Sequence, residues 1–193
     1  MLVHELMTRN VHAVAPDAGL DEALRTLVDH SISSVPVVSA SGVVVGILSE
    51  ADLLTELVVA DPRAHLRPPP PEDRPHQTVH DVMTRGVHVA RIHDDVADVA
   101  RLMVEHRWNS MPVVTGDQLV GMVSRSDVVR ALARPDLDSR TDLLSRLAEF
   151  GHPTWEVSVV HGRARVDGPR TAAERRIADS AALSVVGIHG VAT

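Results

Sequence analysis

Apolar positions along the first two thirds of the chain fall into an order that occurs twice. Val11 to Ala15 reads as a short strand. Leu20, Ala23, Leu24, Leu27 and Val28 then recur at three- and four-residue spacing, which predicts a helix over Leu20 to His30 with one apolar face. Two β-branched runs follow, Val35-Pro36-Val37-Val38 and Val43-Val44-Val45-Gly46-Ile47-Leu48, and the polar turn Ser39-Ala40-Ser41-Gly42 separates them. A second helix opens at Ser49 and carries Leu53, Leu54, Leu57 and Val58. The order β-α-β-β-α then starts again, with a strand over Val87 to Arg91 and a helix over Val96 to His106.

The repetition extends to individual residues. A shift of 76 lays Met7-Thr8-Arg9 on Met83-Thr84-Arg85, Val11-His12 on Val87-His88 and Pro36-Val37-Val38 on Pro112-Val113-Val114. Twelve of the thirty-three positions from 7 to 39 are identical to their counterparts, too many for chance. After a one-residue deletion the shift is 75, and Gly46, Ser49 and Asp52 fall on Gly121, Ser124 and Asp127. Between the copies lies Arg67-Pro68-Pro69-Pro70-Pro71-Glu72-Asp73-Arg74-Pro75. Four successive prolines suit neither a helix nor a paired strand, so residues 61–77 are expected to be a spacer. A ligand for a proline-recognising domain is the less economical reading.

Each copy ends its last strand with Gly-x-x-Ser-x-x-Asp. Glycine permits a tight turn from strand to helix. The serine hydroxyl and the free N–H groups of the helix favour an anion such as phosphate. The carboxylate one turn later can accept from the 2′ and 3′ hydroxyls of a ribose. Ser-x-x-Asp before an apolar run is also close to a capping box, which needs no ligand. Two occurrences at matching points of a duplication tilt the reading towards a nucleotide.

With Met-Thr, the Pro-Val-Val segment and Gly-x-x-Ser-x-x-Asp in order and in duplicate, residues 1–134 resemble a tandem pair of CBS domains, a Bateman module. The resemblance implies an α/β (α+β) fold in which repeats 1–60 and 78–134 pack sheet to sheet about a pseudo-twofold axis. It implies two clefts for AMP, ADP, ATP, NAD or S-adenosylmethionine, no required cofactor, a homodimer, and a regulatory rather than catalytic role. Carried over residue by residue, one cleft takes Thr8, Ala13, Ile32, Ser33 and Ser34 with Ser124, Arg125 and Asp127. The second and weaker takes Thr84, Val89, Trp108, Asn109 and Ser110 with Ser49, Glu50 and Asp52. For Ile32 and Trp108 plain core packing is the favoured reading over ligand contact. Family members that hold polyphosphates place His or Arg just before the apolar-Pro pair. Ser33-Ser34 and Asn109-Ser110 are neutral, which favours AMP over ATP. Arg125 follows Ser124 where Glu50 follows Ser49, so the Asp127 cleft is expected to bind phosphate better.

Residues 139–193 belong to neither copy. Leu143, Leu144 and Leu147 predict a helix over Thr141 to Phe150, Val157-x-Val159 and Ala164-x-Val166 a hairpin, and Pro169-Arg170-Thr171 the opening of a helix to about Leu183. Val185 to Val191 reads as a closing strand. This small α-β-β-α-β unit resembles a BON domain, which implies contact with phospholipid or protein, while the CBS pair is expected to act on an unidentified downstream protein. Arg163, Arg165, Arg170, Arg175 and Arg176 are expected to form a solvated surface.

Composition narrows the classes further. The absence of Cys excludes disulfides, thiolate metal ligands and a cysteine nucleophile. A net charge of −7 argues against nucleic acid as a partner. All nineteen cationic residues are Arg, the imprint of a GC-rich coding sequence. Among twelve His, His76 and His80 stand four apart, but the helix opening after Thr78 leaves His76 outside it, so no metal site is expected. No nucleophile–base pair, P-loop or dinucleotide fingerprint is visible, and no catalytic residue is assigned. The start of the chain resembles no signal peptide and no run spans a bilayer, so a cytoplasmic location is expected. The alternative from another class is a ligand-free structural protein that acts through dimerisation and lipid or protein contact.

Overall fold

The structure, a computed structural model, describes residues 1–58 and 77–192. Most of the proline-rich spacer and His76 lie outside the described residues.

Helix α1 (Leu20–His30) forms where the periodicity places it, with Leu20, Ala23 and Leu27 buried and Leu24 and Val28 exposed. It stops at Ser31, whose left-handed backbone (φ 52°) returns the N–H to the carbonyls of Leu27 and Val28. Strands β1 (Ser34–Val38) and β2 (Val44–Ser49) pair antiparallel, with Ser34 opposite Ser49 and Val37 opposite Gly46. Helix α2 (Glu50–Leu57) follows β2 without a loop.

The second copy contributes α3 (Val79–Val82), β3 (Ala90–Arg91), α4 (Val96–Glu105), β4 (Ser110–Thr115), β5 (Gln118–Ser124) and α5 (Arg125–Leu132). Its sheet has the order β3-β4-β5, and β3 runs parallel to β4. The leading strands are shorter than the apolar pattern suggests. Val14 makes one parallel bridge to Val37, and β3 has two residues.

The chain divides into two compact units, and the division cuts across the repeats. One unit holds Thr8–Arg91 with Trp108–Met122. The other holds Met1–Met7, Ile92–Arg107 and Val123–Thr193. The cause is an exchange of leading segments. In the first unit the N–H groups of Val79 and His80 donate to the carbonyls of Ala18 and Pro16 at 2.9 and 2.8 Å. In the second unit the equivalent N–H groups of Val3 and His4 donate to Asp94 and Ile92 at 3.0 and 3.1 Å. The first turn of each copy therefore satisfies backbone carbonyls ahead of the other copy's first helix.

The core of the first unit gathers Val14, Leu20, Ala23, Leu27, Val35, Val37, Leu48, Leu53, Val79 and Met83, so residues of both copies share it. Gly46 lies inside β2 with ordinary strand backbone, not at the strand-to-helix turn. A Cβ there would overlap the Met83 sulfur, so any side chain at this position would displace the methionine.

The C-terminal segment has the order α6 (Asp136–Glu149), β6 (Glu156–Val160), β7 (Arg163–Asp167), α7 (Ala172–Leu183) and β8 (Gly190–Val191). β7 is central, antiparallel to β6 and parallel to β8. Val157, Val159, Ala164 and Val166 face a core completed by Leu143, Leu147, Trp155, Ala178, Ala181, Ala182, Val185 and Ile188. Two boundaries differ from the apolar pattern. α6 opens at Asp136 rather than Thr141, because the Asp136 carboxylate accepts the N–H groups of His161 and Gly162 at 2.7 and 2.9 Å and so ties that end to the hairpin. The closing strand shrinks to Gly190–Val191, because Gly187 (φ 93°) turns the chain so that Val185 and Ile188 are buried on either side of it.

Candidate functional site

The two Ser-x-x-Asp segments form the same local structure. Ser49 is the N-cap of α2. Its N–H and hydroxyl donate to Asp52 Oδ2 at 2.8 and 2.6 Å, and the Asp52 N–H donates back to Ser49 Oγ at 3.4 Å. Ser124 caps α5 through the same three bonds to Asp127, at 2.8, 2.7 and 3.2 Å. Both motifs are therefore capping boxes, and in each the cap uses Oδ2 and not Oδ1. The anion-binding capacity of α2 is smaller than its sequence suggests, because the Glu50 N–H already donates to the Ser33 carbonyl at 3.0 Å.

The two carboxylates differ at Oδ1. Arg130, one turn beyond Asp127, donates to Asp127 Oδ1 at 3.1 Å, whereas the equivalent Thr55 turns its hydroxyl back to the Ala51 carbonyl at 2.8 Å. The helices differ in charge as well: α2 carries Glu50, Asp52 and Glu56 with no cation, α5 Arg125, Asp127 and Arg130. Arg125 is half-buried and donates through Nη2 to the Met103 carbonyl at 2.9 Å, at the C-terminal end of α4, which holds the guanidinium at a helix end of favourable dipole. Sequence reading did not single out Arg130, although its i,i+3 spacing from Asp127 was the available signal.

Thr8 and Thr84 occupy equivalent places. Thr8 exchanges backbone hydrogen bonds with Met122 (2.8 and 2.9 Å), and Thr84 with Ile47 (2.9 and 3.0 Å). Met122 is the counterpart of Ile47, so the two bridges are related by a local twofold within one unit. Val43 and Gln118, equivalent under the same shift, bridge each other. So do Ser34 and Ser110, whose hydroxyl oxygens lie 2.6 Å apart. The first unit thus gathers Ser49 and Asp52 with Ser33, Ser34 and Ser110, while Ala13, Asn109 and Val89 are exposed. Ile32 is half-buried against the core, and Trp108 is half-buried with the His88 ring 4.8 Å away. Ser124, Arg125 and Asp127 stand in the other unit.

His12 and His30 form a stacked pair, centroids 3.4 Å apart, that apolar patterning could not reveal. Among the described residues no three His, Asp or Glu side chains gather as metal ligands do, and no helix is long and apolar enough to cross a membrane. In the C-terminal segment a groove of about 460 Å³ is lined by Phe150, Ala173, Arg176, Ile177 and Ser180.

Paired capping boxes on duplicated strand–helix corners, joined by exchanged leading segments, define a tandem module. The CBS domain model matches residues 3–59 and 79–134, more than half of the chain, and the chain belongs to the CBS domain family. Protein MJ1426 of Methanocaldococcus jannaschii is 32% identical over 154 residues, which span 68% of this chain and 91% of that one. The chloroplastic CBS domain-containing protein CBSX2 of Arabidopsis thaliana is 30% identical over 148 residues, 67% of this chain but 62% of that longer protein. A crystal structure of CBSX2 in complex with AMP superposes with a TM-score of 0.56 at 31% identity, covering 67% of this chain and 94% of that one. The CBS pair of protein MJ0100, in complex with 5′-methylthioadenosine and S-adenosyl-L-methionine, gives 0.55 at 25% identity, with 67% and 94% covered.

Proposed function

We propose that the chain is a non-catalytic sensor that binds an adenine nucleotide, AMP in preference to ATP, in the two clefts of its CBS pair. The observation that carries this reading is the pair of capped aspartates, Asp52 and Asp127, whose caps use Oδ2 and not Oδ1, in a family of which one similar structure holds AMP and another adenosine derivatives. In this reading each Oδ1 accepts from a ribose, Arg125 lends the Asp127 cleft a cation for phosphate, and the neutral Ser33-Ser34 and Asn109-Ser110 disfavour a triphosphate. Mass spectrometry of the purified protein for carried-over adenylates, followed by calorimetry with AMP, ADP and ATP, tests it. Binding of AMP at least as tight as ATP is expected. Preference for ATP without magnesium overturns the AMP assignment, and no adenylate binding at all favours the ligand-free structural alternative.

The partner expected for the module is a second copy of the chain. Val28, Leu54 and Leu57 are exposed in the first copy, and their equivalents Val104, Val129 and Leu132 are exposed in the second. An apolar triplet kept outward in both copies fits burial against a like surface. Leu54→Glu should then shift the mass measured by light scattering towards that of a monomer, and an unchanged mass argues against this face. The C-terminal unit is read as BON-like, with the Phe150–Ile177 groove as its contact for lipid or protein. Co-sedimentation of the full chain with anionic vesicles, compared with Phe150→Ser, tests the lipid half of that reading.

A further inference from the structure

Two helix pairs of the chain present nearly the same apolar surface. α1 packs on α2 within one compact unit, and α4 packs on α5 within the other. Val28 and Val104 are 68% and 67% exposed, and Leu54 and Val129 are 60% and 63% exposed. Apolar burial therefore gives a partner chain no reason to prefer one face over the other. Charge separates them. The α2 stripe at four- and three-residue spacing runs Glu50, Leu54, Leu57, and its equivalent on α5 runs Arg125, Val129, Leu132. Thr55 of α2 corresponds to Arg130 of α5, and Ser31 after α1 corresponds to Arg107 after α4, with both arginines exposed. At three equivalent positions the second repeat thus carries a cation where the first carries an acid or a neutral side chain. α2 has three carboxylates and no cation, whereas α5 has one carboxylate and two cations. The neighbouring helices do not cancel the difference, since α1 sets Asp21, Glu22 and Asp29 against Arg25, and α4 sets Asp98 and Glu105 against Arg101.

We propose that two chains associate through unlike faces, the α1–α2 face of one against the α4–α5 face of the other. The inference rests on the reading above, in which the exposed triplets meet a second copy of the chain. Pairing of like faces would set the three carboxylates of α2 against the same three of the partner chain. Carboxylates brought together where apolar contact excludes water repel more strongly than in bulk solvent. Unlike faces bury the same apolar residues and bring those carboxylates to the arginine-bearing side instead. Arg125 is held at the Met103 carbonyl, so the exposed Arg107 and Arg130 are the cations that reach a partner. Apolar burial supplies an attraction common to both arrangements, and charge selects between them.

The chain has no Cys, so an introduced thiol is the only one present. Leu54→Cys and Val129→Cys place it at equivalent points of the two faces. Each variant of the full chain, and an equimolar mixture of the two after subunit exchange, is treated with a short bismaleimide. Cross-linked dimer is expected in the mixture and only at background level in either variant alone. Val28→Cys with Val104→Cys repeats the comparison on α1 and α4, should the first pair of substitutions disturb folding or association. Cross-linking of a variant with itself, without gain on mixing, overturns the proposal. So does a dimer that cross-links in neither comparison. Monomer mass of the unaltered chain in light scattering overturns the reading that these faces meet a second copy, a result distinct from the pairing of like faces.

Discussion

Arg130 donates to Asp127 at 3.1 Å, on the one carboxylate oxygen that the helix cap leaves open. The pair is exposed on the arginine side (77%) and sheltered on the aspartate side (12%). Such a pair adds little to stability, but it places a cation beside the group assigned to the ribose. Asp127→Ala should weaken the tighter AMP event by roughly ten- to a hundredfold. Asp52→Ala should touch only a weaker event. Titration of both variants decides it, and loss of the tight event in Asp52→Ala alone would reverse the assignment. Each substitution also removes the carboxylate half of a capping box, to which the N-cap serine N–H donates, so melting curves should accompany the titrations.

A chain ended after Arg134 should fold and bind the same nucleotide, yet melt at a lower temperature. In the complete chain Arg134 pairs with Asp142 at 2.7 Å and donates to the Val186 carbonyl at 3.3 Å, and the N-terminal amino group donates to Leu183 at 3.1 Å. The cut removes all three contacts. Retained melting temperature with lost binding would place the boundary wrongly.

Gly187→Ala should destabilise the protein by about 1–3 kcal/mol. The residue sits at φ 93°, and a Cβ there would crowd the hydroxyl of Ser139, which is fully buried and donates to Val186 at 3.1 Å. Chemical denaturation measures the loss, and a change within error would mean that the turn relaxes freely.

Acid should loosen the C-terminal unit. The N–H groups of Gly162 and His161 hold the Asp136 carboxyl below its usual range, and those of Arg170 and Thr171 do the same for Glu174. A depressed folded-state value contributes stability above the unfolded value, and the contribution is lost as pH falls through the carboxylate range. Asp136→Asn should therefore flatten the acid limb of a stability–pH curve and leave the neutral region less stable. An acid limb of unaltered slope counts against the assignment.

The helices were legible because burial on one face imposes a period. α1 spans the residues that Leu20, Ala23 and Leu27 mark out. The Ser-x-x-Asp caps were legible as well, since a helix start needs partners for its N–H groups within a few residues. Arg130 and the His12–His30 stack were not, because nothing in local periodicity says which polar side chains meet.

By itself the sequence determined the duplication, the β-α-β-β-α order and the two capped corners, all of which depend on neighbours within a turn or a strand. Only the tertiary structure decided that each copy lends its leading segment to the other, that Gly46 serves a close approach to Met83, and that Ser34 faces Ser110. Those relations join residues tens of positions apart. Backbone groups must find partners somewhere, but the chain's own pattern does not say in which copy.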